Sequence, residues 1–123
     1  MANWERTPAL EKHGNVVYRR EEKNLHYHTE HKQGRTIHFR IENLSSGHGL
    51  VLEKTGARWV AKVVEGSGPN DASLATAEQV KFFREKMRES LKNHPENNGK
   101  AQVTLDFNNA LAELASPSNS GNA

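Results

Sequence analysis

The fold is decided by residues 25–42, whose sequence is LHYHTEHKQGRTIHFRIE. Apolar and polar side chains alternate over residues 25–29 and again over residues 36–42, which is typical of strands buried on one face only. Between them, Lys32, Gln33 and Gly34 fit a three-residue hairpin loop in which Gly34 takes the left-handed conformation. The stretch therefore predicts an antiparallel β-hairpin.

This loop also predicts the register of the hairpin, because a three-residue loop sets Glu30 opposite Thr36. One face of the hairpin is then apolar and contains Leu25, Tyr27, Ile37, Phe39 and Ile41, with Tyr27 opposite Phe39. The other face is polar, and its predicted cross-strand pairs are His28 with His38 and His26 with Arg40. A slip of one residue would mix the two faces, which sheets rarely tolerate.

Further strands are predicted on both sides of this hairpin. Residues 16–18 begin a first strand, and the turn that follows sets Tyr18 opposite Tyr27 and Arg19 opposite His26. Residues 50–53 and 58–64 form another hairpin, in which Glu53 faces Arg58 and Leu52 faces Trp59. The sequence therefore predicts a sheet of four or five strands.

A helix is predicted after the sheet, ending at about residue 94. Thr76 and Gln79 resemble a capping box at its start, and Pro95 stops it. Its apolar stripe recurs at helical spacing and consists of Val80, Phe83, Met87 and Leu91. Residues 101–107 alternate again and are predicted to form a late strand.

These elements predict an α+β fold, with a four- to five-stranded antiparallel meander sheet packed on one face by a single long amphipathic helix. Residues 1–14 are predicted to be an N-terminal segment with a short helical turn, in which Trp4 packs as an anchor. Residues 15–107 form the single domain. Residues 108–123 are predicted to be a short helix and a disordered tail.

The composition limits the class of protein. The 123 residues include no cysteine, which excludes disulfides and Cys-based zinc sites, and the net charge is +2. The absence of disulfides, of a long apolar run and of an apolar segment near the N-terminus predicts a cytoplasmic protein. Only 34% of the residues are hydrophobic. The core is therefore thin, and we predict that homodimerisation buries more apolar surface.

The polar face of the sheet is the main candidate for function, because one helix can cover only the opposite face. Cations and imidazoles spaced along strands contact phosphates and stack on bases. We therefore predict a small binding module, either a single-stranded nucleic-acid-binding protein or an accessory protein. Its predicted binding residues are Arg19, His26, His28, His38, Arg40 and Lys62. The alternative is that this face binds nothing and is polar only because it is in contact with solvent.

Three other functions remain open. The runner-up is a protein–protein interaction module, such as an inhibitor, immunity or adaptor protein. A histidine-dependent ribonuclease is less expected, with His28 and His38 as acid–base groups beside Arg40. A metal site is the third alternative; its ligands would be His26, His28 and His38, with His31 as a fourth. No cofactor is predicted, and binding is favoured over catalysis.

The order of elements from residue 15 to residue 94 resembles the Pur-alpha and Whirly groups of single-stranded nucleic-acid binders. The resemblance is one of topology, without diagnostic residues, and implies a helix on one sheet face, dimers, and strands that bind. The chain departs from it in one respect. Tyr27, Phe39 and Trp59 are predicted to face the core and do not form an exposed aromatic platform.

Overall fold

The computed structural model describes residues 3–64, 77–97 and 99–115. A six-stranded sheet comes first and two α-helices follow, with a 3-10 turn at Pro8–Leu10 between the first two strands. The elements are β1 (Glu5–Arg6), β2 (Val16–Glu22), β3 (Leu25–Lys32), β4 (Arg35–Asn43), β5 (Gly49–Thr55), β6 (Arg58–Val64), α1 (Ala77–Leu91) and α2 (Gln102–Ala115). Every strand pairs antiparallel with the next along the chain, which makes the sheet a meander.

The α+β class and the antiparallel sheet are confirmed, but the predicted numbers of strands and helices are wrong. The sixth strand is β1, a two-residue edge strand that pairs with β2. The predicted late strand at residues 101–107 is instead the first half of α2. Val103, Phe107, Ala110 and Leu114 recur at helical spacing, and a short alternating segment fits both patterns.

All three predicted hairpins turn more tightly than expected. The β3–β4 loop has two residues, Gln33 and Gly34, which both have positive φ angles of 51° and 80°. Two residues in this conformation match the twist of the flanking strands, so the ladder closes directly at Lys32 and Arg35. The β2–β3 and β5–β6 hairpins also close over two residues, at Glu22–Leu25 and Thr55–Arg58.

The predicted registers are consequently wrong, each by two positions. In the β3–β4 hairpin, one position comes from the shorter loop and one from a bulge beside Glu30 and His31, where Ile37 is the additional residue. His28 therefore pairs with Arg40, and Tyr27 pairs with Ile41. A shift of two residues leaves the side chains of residues 25–30 and 38–42 on their predicted faces. Thr36, which was predicted opposite Glu30 on the polar face, instead pairs with His31 and is buried on the core side, because the bulge at Ile37 reverses the alternation.

The core lies between the sheet and the two helices. Tyr27, Phe39 and Ile41 come from the sheet, and Phe39 packs on the Phe107 ring of α2 at 5.0 Å between centroids. In the predicted stripe of α1, Phe83, Met87 and Leu91 are buried, and Val80 packs at the rim of the core. Ile37 was predicted to join this core, but it is only half-buried because of the bulge.

Some predictions concern residues that the structure does not describe. Thr76 of the predicted capping box and the predicted tail at residues 116–123 lie outside the described ranges. The end of α1 is described, and it lies at Leu91 rather than at residue 94. Neither α1 nor α2 combines the length and the apolar composition that a membrane-spanning helix needs. The cytoplasmic location stays a prediction.

The backbone of β4 lies so close to Gly49 at the start of β5 that no side chain fits at this position. A methyl group on its Cα would collide with the backbone oxygen of Ile41 and lie 3.0 Å from the Cα of Glu42. Because both atoms belong to the paired backbone of β4, they cannot move aside cheaply. We expect Gly49→Ala to lower the free energy of unfolding by about 2 kcal/mol in urea denaturation.

Gly99→Ala is the matched control for this substitution, because a methyl group on Gly99 meets no heavy atom within 4 Å. We expect it to change the free energy of unfolding by less than about 0.5 kcal/mol. Equal stabilities of Gly49→Ala and Gly99→Ala would contradict the steric argument.

Candidate functional site

The open face is the side of the sheet that faces away from α1 and α2. A row of directly paired residues crosses its middle, and it runs Glu5, Arg19, His28, Arg40, Val51 and Lys62. His26 and His38 lie on the same face, two residues from His28 and Arg40 along their strands. All six residues of the predicted site therefore share the open face.

Carboxylates lie in the rows on both sides of this central row. Glu21, His26 and Glu42 form part of one flanking row, and Glu30, His38 and Glu53 form part of the other. Each row is two residues from the next along a strand, about 7 Å away. The open face thus alternates in charge and is not a basic surface.

Each cation of the central row has a carboxylate within reach. Arg19 Nη2 lies 3.7 Å from Glu21, Arg40 Nη2 lies 3.3 Å from Glu42, and Lys62 Nζ lies 3.1 Å from Glu53. Such exposed pairs add little stability. Their effect is electrostatic, because the carboxylates reduce the positive potential that a phosphate backbone would meet.

His28 and His38 are in contact at the centre of the face, with ring centroids 5.2 Å apart and the rings nearly perpendicular. The pKa of His28 is lowered to about 4, mainly by burial and then by the neighbouring His38, Arg40 and Arg19, while Glu30 opposes the shift. Burial also lowers the pKa of His38, while Glu53 and Glu30 oppose the shift. Both imidazoles are therefore neutral near pH 7.

This protonation state bears on the ribonuclease hypothesis, and the arrangement of side chains bears on the metal-site hypothesis. Acid–base cleavage of RNA by two histidines needs one neutral and one protonated imidazole at the same pH. His28 and His38 provide a base but no acid near neutrality. Within residues 3–64, 77–97 and 99–115, no group of three or more histidine or carboxylate side chains is arranged to hold a metal ion.

A second histidine pair is buried on the opposite side of the sheet, at its contact with the segment between the helices. His31 is 2% exposed and His94 is 3% exposed. Both Nε2 atoms lie 2.8 Å from the hydroxyl oxygen of Thr29, and His31 Nδ1 lies 2.9 Å from the hydroxyl of Thr36. We call these four residues the buried histidine cluster.

The sequence analysis missed this cluster. His31 was assigned to a loop as a potential metal ligand, whereas it is the seventh residue of β3. His94 was placed at the end of the helix, whereas it lies beyond α1. One local signal was available, because His31 continues the in-facing alternation of Leu25, Tyr27 and Thr29.

A shallow depression of about 420 Å³ lies on the surface of α1. Its lining contains Phe82, Glu85, Lys86, Arg88, Glu89 and Lys92. Phe82 is an exposed aromatic, and the Lys86 ammonium lies 5.8 Å from its ring centroid. None of the predicted site residues contributes to this depression.

No family model, curated protein or solved structure matches the chain. The topological resemblance to the Pur-alpha and Whirly groups therefore gains no support from these comparisons. Function has to be argued from the chemistry of the open face.

Proposed function

We propose that the chain is a protein-binding module and that the open face is its docking surface. The observation that supports this proposal is the pairing of Arg19, Arg40 and Lys62 with carboxylates of the same face. A nucleic acid presents one sign of charge and favours a continuous basic surface. A protein surface presents both signs, and alternating rows of charge can match it in register.

The centre of the face also has the properties of an interface core. Val51, which lies between Arg40 and Lys62 in the central row, is buried. His28 and His38 are partly buried and neutral near pH 7. A partner that covers this centre does not have to desolvate a charged imidazole. The charged rows around the centre then form the polar rim that sets the orientation of the partner.

Charge reversal at Arg40 tests the proposal. The immobilised protein is used to capture partners from lysate, with and without nuclease, and bound proteins are quantified by mass spectrometry. We expect a nuclease-resistant protein that binds the wild type and loses at least about 10-fold in affinity for Arg40→Glu, because a central interface charge is reversed. The loss of affinity is measured by titrating the purified partner into the wild type and into Arg40→Glu.

Lys92→Glu is the matched control. It makes the same change in charge at an exposed position just beyond α1, on the opposite side of the sheet. It is expected to bind the partner as the wild type does, and circular dichroism checks that both variants fold. If Arg40→Glu captures the partner as well as the wild type does, the open face is not the docking surface.

Nucleic-acid binding through Arg19, His26, His28, His38, Arg40 and Lys62 remains a prediction, and the same experiment tests it. If the wild type retains nucleic acid, if Arg40→Glu does not, and if retention weakens steeply with salt, the protein-binding proposal is overturned in favour of a phosphate-binding face.

A further inference from the structure

The buried histidine cluster has one fixed backbone donor, which sets the tautomer of His94. The backbone N–H of Glu96 donates to His94 Nδ1 at 3.0 Å, so that nitrogen carries no proton. Neutral His94 is therefore protonated on Nε2 and donates to the Thr29 hydroxyl. The Thr29 hydroxyl also shares a hydrogen bond with His31 Nε2, and His31 Nδ1 shares one with the Thr36 hydroxyl.

An added proton on His94 has no acceptor in this chain of hydrogen bonds. A proton on His94 Nδ1 would point at the N–H of Glu96, which is itself a donor. Protonation of His94 therefore replaces a buried hydrogen bond with two opposed donors and adds a buried charge. Protonation of His31, which is 2% exposed, adds a buried charge beside it.

Aromatic side chains surround His94 and keep it dry. The ring centroids of Trp4, Tyr18 and His31 lie 4.6, 4.7 and 4.8 Å from that of His94. Burial, together with the proximity of His31, lowers the pKa of His94 to about 3.

The charged groups near the cluster mostly have partners of their own. Glu96, in the connection between the helices, accepts the Tyr18 hydroxyl at 2.9 Å. The carboxylate of Asp106 on α2 pairs with Arg35 of β4, and Arg6 pairs with Glu11 near Tyr18. Burial lowers the pKa of His31 to about 4, although Glu96, Asp106 and Glu30 act in the opposite direction.

We propose that His94 and His31 form an acid-sensitive latch that holds the connection between α1 and α2 against the sheet. Side-chain hydrogen bonds from His94 to Thr29 and from Tyr18 to Glu96 join this connection to the sheet. The indole ring of Trp4 packs on His94 and lies beside the same site. Protonation releases residues 92–97 and the N-terminal residues around Trp4, while β2–β6 remain folded.

The direction of the pH dependence follows from the lowered pKa values. Above the ordinary histidine pKa of 6.5, both imidazoles are neutral in the closed and open forms, so the latch has its full stability. As the pH falls below that value, only the open form takes up protons. The opening constant then rises about 10-fold per pH unit for each histidine, until the pH reaches its closed-state pKa.

Hydrogen exchange with mass spectrometry tests the latch, using protection factors corrected for the intrinsic effect of pH. Between pH 7.0 and pH 4.5, we expect protection in residues 92–97 to fall at least about 100-fold, with a parallel loss near Trp4. His94→Gln retains an amide donor for Thr29 but does not titrate, so we expect its loss to be about 100-fold smaller than that of the wild type.

His26→Gln is the control, since His26 lies on the open face beside Glu21 and should leave acid opening unchanged. Unchanged protection of residues 92–97 at pH 4.5, equal loss in His94→Gln, or simultaneous loss in all six strands would overturn the latch. If His94→Gln does not fold, an NMR titration of the wild type replaces it. The midpoint of the His94 ring must then coincide with the loss of protection, and separate midpoints would reject the proposal.

Discussion

Asp106→Ala is expected to lower the free energy of unfolding by about 2–3 kcal/mol, because it leaves the buried backbone N–H of Thr36 without an acceptor and removes the hydrogen bonds from Arg35 and Gln102. The carboxylate is 2% exposed. It accepts hydrogen bonds from Arg35 Nη2 at 2.7 Å, the Thr36 backbone N–H at 2.8 Å and Gln102 Nε2 at 3.0 Å. Burial alone would raise the pKa of Asp106, but these hydrogen bonds outweigh burial and lower it.

Urea denaturation at pH 7 measures this loss, and two variants calibrate it. Arg35→Ala removes one donor whose side chain is 61% exposed, and we expect it to cost only about 1–2 kcal/mol. Asn108→Ala, at an exposed position of the same helix, should remain within about 0.5 kcal/mol of the wild type. A loss below about 1 kcal/mol for Asp106→Ala would show that Asp106 does not tie α2 to the β3–β4 hairpin.

Trp4→Ala is expected to cost about 3–5 kcal/mol, although Trp4 lies three residues from the chain start. The side chain is 6% exposed and packs against Tyr27 and His94, with centroid distances of 5.9 and 4.6 Å. Its indole N–H donates to the backbone oxygen of Ser90 at 2.8 Å. That oxygen belongs to the last turn of α1, whose carbonyl oxygens receive no hydrogen bond from an N–H of the same helix.

Trp4→Phe separates packing from hydrogen bonding, because it keeps an aromatic ring but removes the donor. We expect it to cost about 1–2 kcal/mol in the same denaturation experiment. Leu10→Ala, at an exposed leucine of the 3-10 turn, is the control and should be nearly neutral. If Trp4→Ala behaved like Leu10→Ala, the N-terminal segment would not contribute to the core.

The faces of the sheet could be predicted from the sequence even though the registers could not. Within an uninterrupted strand, the face of a residue depends only on whether its position is odd or even, and alternation reveals this directly. The bulge at Ile37 breaks the rule for Thr36, which lies on the core side although His38 and Arg40 lie on the open face. The register depends on loop length and bulges. Three two-residue turns and the bulge at Ile37 shifted each pairing by two, which changed the partners of His28 and Tyr27 but not their faces.

The buried contacts were harder to predict because their partners are distant in the chain. Asp106 lies 70 residues from Thr36, and His94 lies 65 residues from Thr29. Asp106 was also assigned to a strand, since residues 101–107 alternate over too short a span to exclude a helix. No local pattern near His94 indicates that its ring enters the core.

The sequence by itself determined the antiparallel strands, the apolar stripe of α1 and the face shared by Arg19, His26, His28, His38, Arg40 and Lys62, because periodicity is a property of a few consecutive residues. Only the tertiary structure decided the exact pairings, the helical state of residues 102–115 and the burial of His31 with His94. It also decided that the cations of the open face lie beside carboxylates. These features depend on which segments meet after folding, and no short stretch of the chain encodes that.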